Sequence, residues 1–198
     1  MTAWLDALEA DAPDVVAAFR EIEDGRFMSG RREVRRRAGP GSAAPLAAQL
    51  AAIAAAIGEL IATMPEAAFR TPGGEEDWNV AQALNHAAAA RAGLTMAGAL
   101  AASGRWPDAA PTVVPSVPGS PETTRKELIR KLATSQRIVE RSARTIAGHE
   151  TDPCPLEHPL VGRLRCGEWI LFAGVHDLMH LEQLHRLAAS RLTFVGVS

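Results

Sequence analysis

Apolar residues recur at intervals of three and four along most of this chain, the spacing that gathers them on one face of an α-helix. The clearest stripe is Leu46, Leu50, Ile53, Ile57, Leu60 and Ile61, which predicts a core-facing helix from Leu46 to Met64 that stops before Pro65. A second helix is predicted from near Trp78 to about Ala102, with Asp77 as its N-cap and the Glu75 and Glu76 carboxylates close to its positive end. Pro121 and Glu122 open a third, reaching about Gly148 and carrying Leu128, Leu132, Ile138, Val139 and Ile146. Proline suits a helix start because its φ is fixed and its missing N–H is not needed there. The last long helix is predicted from about Gly167 to Ser190. Residues 2–24 read as a shorter amphipathic helix through Trp4, Leu8, Val15, Val16, Phe19 and Ile22, interrupted at Pro13.

The segments between these stripes are marked by glycine and proline. Residues 25–45 read as a linker holding Arg31, Arg32, Arg35, Arg36 and Arg37. Those arginines suit a solvated short helix or an arm lying on acidic surface, with contact to a polyanion as the alternative. Residues 106–121, WPDAAPTVVPSVPGSP, carry too many prolines for good strands and are expected to run ordered along the helices. Residues 149–167 are expected to be a loop. The predicted architecture is all-α: residues 46–198 form a four-helix bundle with a longer crossover, and residues 1–45 form an N-terminal helical extension with an Arg-rich linker.

Composition supports the helical reading, since alanine makes up roughly a fifth of the 198 residues and loses no side-chain entropy in a helix. Lys and Arg total 21 against 23 Asp and Glu, a net charge of −2, so no global field favours nucleic acid. A hydrophobic content of 47% is enough for a core and excludes disorder throughout. No stretch reaches the roughly 18 to 20 uninterrupted apolar residues of a membrane helix, and the acidic start is unlike a secretory signal. A cytoplasmic protein with no membrane partner is therefore expected. Cys154 and Cys166 are too few for a disulfide framework and are expected to be reduced, inert thiols.

The chemistry concentrates in EWILFAGVHDLMHLEQLHRLAA. Its inward stripe reads Trp169, Phe172, His176, Met179 with His180, Gln183 and Leu187, so two histidines occupy a face that ought to be apolar. Their separation of four puts both imidazoles on one side of the helix, about 6 Å apart at Cβ, where two ring nitrogens can meet one divalent ion. The second helix supplies a third imidazole, His86. Its same-face neighbours Ala83, Ala90, Gly93 and Ala97 are small, which either brings helices close or leaves a cavity beside the ring. Three neutral imidazoles leave a bound ion's charge uncompensated and other coordination positions open. The competing reading of each histidine is a satisfied hydrogen-bonding residue of the core. Gln183, one turn past His180, is either a hydrogen-bond partner to a ligand imidazole or a plain polar member of the stripe. Asp177 points off the stripe and is expected at the surface, with orientation of a ligand histidine as the alternative, and His149, His158 and His185 are expected to be structural. No phosphate loop and no GxSxG elbow is present.

The run from Trp78 through Asn85 to His86 is one group of signals. The others are the His158-Pro-x-x-Gly element, the Glu168-Trp169 helix start and His176-x3-His180 followed by Gln183. Together, over residues 46–190, this pattern resembles the DinB-like family of metal-dependent bundle proteins. The resemblance implies a crossed four-helix bundle, often a homodimer, in which His86, His176 and His180 bind a divalent ion, commonly zinc or nickel, completed by water. Relatives with assigned chemistry use low-molecular-weight thiols such as mycothiol or bacillithiol, as S-transferases or as a thiol-dependent maleylpyruvate isomerase. The function expected on this basis is metal-dependent transfer of a low-molecular-weight thiol to a small electrophilic substrate. The alternatives are metal-assisted hydrolysis and a non-catalytic metal- or ligand-binding stress-response module.

Overall fold

A computed structural model describes residues 3–23, 25–70, 72, 77–115 and 117–192. The chain is mostly helical. Its elements are α1 (Ala3–Glu9), α2 (Pro13–Glu23), α3 (Phe27–Arg37), α4 (Ala43–Thr63), α5 (Glu66–Arg70), α6 (Val80–Ala102), α7 (Arg125–Ile146), β1 (Pro153–His158), β2 (Gly162–Arg165) and α8 (Cys166–Leu192). Helix α6 packs against both α7 and α8, and α4 packs against the same two, while α2 lies across α8 and α4.

The four long stripes fold as the periodicity predicts, but their starts differ. Helix α6 is capped by Asn79, whose side chain accepts the Gln82 N–H at 2.8 Å, and not by Asp77. Asp77 has a φ of 63°, the left-handed geometry of a turn ahead of the helix, where its carboxylate cannot cap. Helix α7 begins after Thr124, not at Pro121. Thr124 and Glu127 form a reciprocal capping box that satisfies two end donors at once, while Pro121 lies in the preceding turn.

Two expected coils are ordered structure. The Arg-rich stretch forms α3, which buries Val34 and packs on α2 and α8. Its arginines are held by carboxylates: Arg37 pairs with Asp14 at 2.7 Å and Glu33 at 2.9 Å, and Arg35 with the buried Glu168 at 3.2 Å. The short-helix reading on an acidic surface therefore describes this segment better than a linker does. Within the expected loop at 149–167, β1 and β2 pair as an antiparallel hairpin with Gly162 at a φ of 70°. Cys154 and Leu156 alternate inward with exposed Pro153, Pro155 and Glu157, a period of two that the prolines disguise.

One apolar cluster runs through the molecule. Val15, Val16 and Phe19 of α2 belong to it together with Leu50, Trp169 and Val175, so the N-terminal helices share the core of the long ones. Gly174 makes the close approach possible, since a Cβ there would crowd Val15 and Leu50 at 2.8 Å. Helix α4 has the length and mean hydropathy, 1.7, of a membrane-crossing helix by composition. Its Leu46, Leu50, Ile53, Ile57 and Ile61 face the core and are at most 1% exposed. Burying each is worth about 1.5–3 kcal/mol.

Candidate metal centre

Three imidazoles predicted to converge do so. His86 comes from α6, and His176 and His180 come from successive turns of α8; one ring nitrogen from each lies within 4.8 Å of the others. Ring centroids are 4.6 Å apart for His176 and His180, and 5.2 Å for His86 with either. The helices can approach because α6 is built of small residues. At Gly98 a Cβ would sit 2.7 Å from the Cys166 carbonyl at the start of α8. Trp78 stands edge-on to His86 at 5.1 Å and supports the ring from the helix entrance.

Hydrogen bonds orient two of the rings. The Val117 carbonyl can only accept, so His86 Nδ1, 2.6 Å away, carries the proton and Nε2 keeps its lone pair. His180 Nδ1 donates to Gln183 Oε1 at 3.1 Å, which likewise leaves Nε2 as the lone-pair nitrogen. Gln183 is thus the partner of a candidate ligand. His176 Nδ1 is buried without a hydrogen-bond partner. An orphaned, lone-pair-bearing ring beside two oriented ones fits a divalent ion. Zn–N bonds of about 2.0–2.1 Å hold tetrahedral nitrogens roughly 3.4 Å apart, and small χ rotations cover the remaining spread.

Burial keeps the His176 and His180 rings neutral. It pushes His176 well below the ordinary imidazole range, helped by the neighbouring rings of His180, His86 and His158. It lowers His180 to about 4, against the opposing effect of the hydrogen bond that His180 donates to Gln183. His158 and His185 are lowered by the same cause. Among the described residues only Asp177 shifts to oppose them, pushed up by burial to about 6. Four depressed histidines outweigh one raised carboxyl, so below about pH 6.5 the unfolded chain binds more protons than the folded one. Stability is therefore expected to fall as pH drops from 6.5 towards 4. Urea midpoints at fixed ionic strength check this, and a midpoint equal at pH 7.5 and pH 5 would contradict the neutral, buried assignment.

A cavity of about 410 Å³ adjoins the cluster. His86 and His176 form part of its wall, with Ala89, Ala90, Gly93 and Ala97 of α6, so the small face yields a cavity beside the imidazole. The proline-rich segment covers it, tied to β1 by hydrogen bonds of 2.9 Å from Val114 N–H to the Glu157 carbonyl and 2.8 Å from Glu157 N–H to the Thr112 carbonyl. Gly119 seats this cover on α6, where a Cβ would overlap the Gln82 carbonyl.

Other expectations divide. Asp177 is not at the surface: it is fully buried and paired with Arg91, also fully buried, at 3.2 Å between Oδ2 and Nε. Helix α8 is enclosed on nearly all sides here, so leaving the histidine stripe does not lead to solvent. Met179, placed on the inward stripe, is 36% exposed because α8 turns that edge outward. The Leu187 side chain lies outside the described residues. His185 stacks on Trp4 at 5.0 Å and His149 contacts Asp152 at 2.8 Å, both structural roles. His158, also expected to be structural, lines the cavity and packs edge-on against Phe172 at 4.5 Å. Its place in the His-Pro-x-x-Gly element was the available signal. Cys154 and Cys166 are free and buried, and burial raises both thiols, Cys166 to about 12, so neither is primed as a nucleophile. Among the described residues no fourth His, Cys, Asp or Glu joins the three histidines. No family model, no curated protein and no solved structure matches this chain.

Proposed function

We propose that this protein is a divalent-metal-dependent enzyme of the DinB-like kind, in which α4, α6, α7 and α8 act as a four-helix bundle and the reaction joins a low-molecular-weight thiol to an electrophilic substrate. The observation that carries this reading is the convergence of three imidazoles, two of them on the wall of a cavity, with no fourth His, Cys, Asp or Glu joining them among the described residues. A structural site is closed by its protein ligands, whereas a reactive one keeps positions open. His86, His176 and His180 would hold the ion, zinc or nickel by the resemblance, with Val117 and Gln183 fixing the proton positions on two of the rings. The bound ion would supply a lowered thiol pKa, bringing a group of ordinary pKa about 8.5 into its nucleophilic form near neutrality.

The protein's own residues do the rest. Three neutral rings contribute no compensating negative charge, so an incoming thiolate is favoured electrostatically. The cavity brings the electrophile beside the rings and limits water there. The buried cysteines are no rivals to the incoming thiol, and their free state suits a reducing cytoplasmic setting.

The test is a panel of electrophiles incubated with the metal-loaded protein, with and without an added thiol, and analysed by mass spectrometry. The expected result is a thiol adduct formed faster than in buffer and lost in His86→Ala. Thiol-independent hydrolysis would replace the transferase by a metal-assisted hydrolase. Metal uptake without turnover of any member would leave a binding module.

A further inference from the structure

The cavity differs sharply in character from the cluster it adjoins. Among the described residues that line it, none carries a formal charge, and the polar side chains are three imidazoles and the Trp106 indole. The remainder is alanine, glycine, proline and aliphatic surface, with the exposed Met96 and Val117 among it. A volume of about 410 Å³ suits a small organic molecule. A charged group placed against such a wall loses its hydration and gains no partner.

One imidazole of this wall is not among the three candidate ligands. The Leu160 N–H donates to His158 Nδ1 at 3.2 Å, which makes Nδ1 an acceptor and places the ring proton on Nε2. The Phe172 ring packs edge-on against it at 4.5 Å. His158 lines the same cavity as His176. With Nδ1 occupied, Nε2–H is the donor left to this ring, which lines the same largely apolar cavity as His86 and His176.

Resting on the metal-centre reading above, we propose that the electrophilic substrate is an uncharged, largely hydrocarbon molecule with one hydrogen-bond acceptor, and that His158 is the positioning residue that binds this acceptor through Nε2–H. The class includes neutral aryl and alkyl carbonyl compounds. It excludes small dicarboxylates, because an acid group directed away from the imidazoles would meet only apolar wall.

Three probes sharing one ring system test this by equilibrium binding to the purified, metal-loaded protein: 2-acetylnaphthalene, naphthalene, and naphthalene-2,6-dicarboxylate. The dicarboxylate carries its charges at opposite ends, so both cannot face the imidazole cluster. The ketone should bind more tightly than naphthalene, and the dicarboxylate more than tenfold more weakly than the ketone. His158→Phe should cost the ketone roughly five- to tenfold in affinity, the size of one hydrogen bond, and leave naphthalene nearly unchanged. His158→Gln, which keeps an N–H donor, should restore most of the ketone's preference, a rescue that a purely structural role for the ring does not predict. Dicarboxylate binding as tight as the ketone overturns the substrate class, and a ketone preference that survives His158→Phe overturns the role of His158. Because the readout is binding, absence of thiol transfer would refute the transferase reading alone.

Discussion

His176→Ala is expected to reduce bound metal from about one ion per chain to near zero, measured by elemental analysis after loading and gel filtration. The pair at four-residue spacing on α8 is the rigid half of the site, because one helix fixes both rings at once. Removing His176 leaves His86 and His180, two imidazoles from separate helices with no shared scaffold, and such a pair holds an ion weakly. The fold should survive, since His176 borders a cavity and its Nδ1 makes no hydrogen bond that would be lost. Far-ultraviolet circular dichroism should therefore match the parent. His185→Ala is the matched control, because that ring stacks on Trp4 and takes no part in the cluster. Full metal occupancy in His176→Ala would refute the ligand assignment.

The largest expected loss of stability comes from Arg91→Met. Arg91 is fully buried and touches three other helices: it donates to the Leu50 carbonyl of α4 at 2.9 Å, donates to Gln136 of α7 at 2.8 Å, and pairs with Asp177 of α8 at 3.2 Å. Truncating one partner of a buried ion pair costs about 3–5 kcal/mol, because the other charge is left without compensation. Asp177 already sits near 6 through burial, with Arg91 as the opposing influence, so losing Arg91 raises it further. A carboxyl whose folded pKa exceeds its unfolded value loses stability as pH rises through the folded value. The deficit of Arg91→Met should accordingly be larger at pH 8 than at pH 5. Arg91→Met with Asp177→Leu removes both charges and should recover most of the loss in urea unfolding. A single variant within about 1 kcal/mol of the parent would show the pair to be energetically idle.

Local and periodic features of this fold were legible in the sequence. The stripes through Leu46 to Ile61 and through Trp169 to His180 each report one helix face, and His176 with His180 needs only helical spacing to be read as a pair. His86 was recognisable from its small neighbours. Features that depend on residues distant in sequence were not legible in this way. Whether Asp177 faces water or Arg91 depends on how α6 and α8 are rotated against one another, which neither stripe states. The Arg-rich α3 has few apolar residues, and two of the carboxylates that hold it, Asp14 and Glu168, belong to other helices. The helix starts expected at Asp77 and Pro121 fall instead at Asn79 and Thr124, where the backbone turns into the helix and the side chain caps it. Prolines hid the alternation in β1, and with it the strand that brings His158 to the cavity.

The cover over the cavity is anchored at the Val117 carbonyl, and that same carbonyl orients His86. Lifting the cover to admit a molecule takes away the acceptor that holds the His86 proton on Nδ1, and the ring is then free to turn. Movement of the cover and release of one of the three rings would therefore be one mechanical event, since a single hydrogen bond joins them.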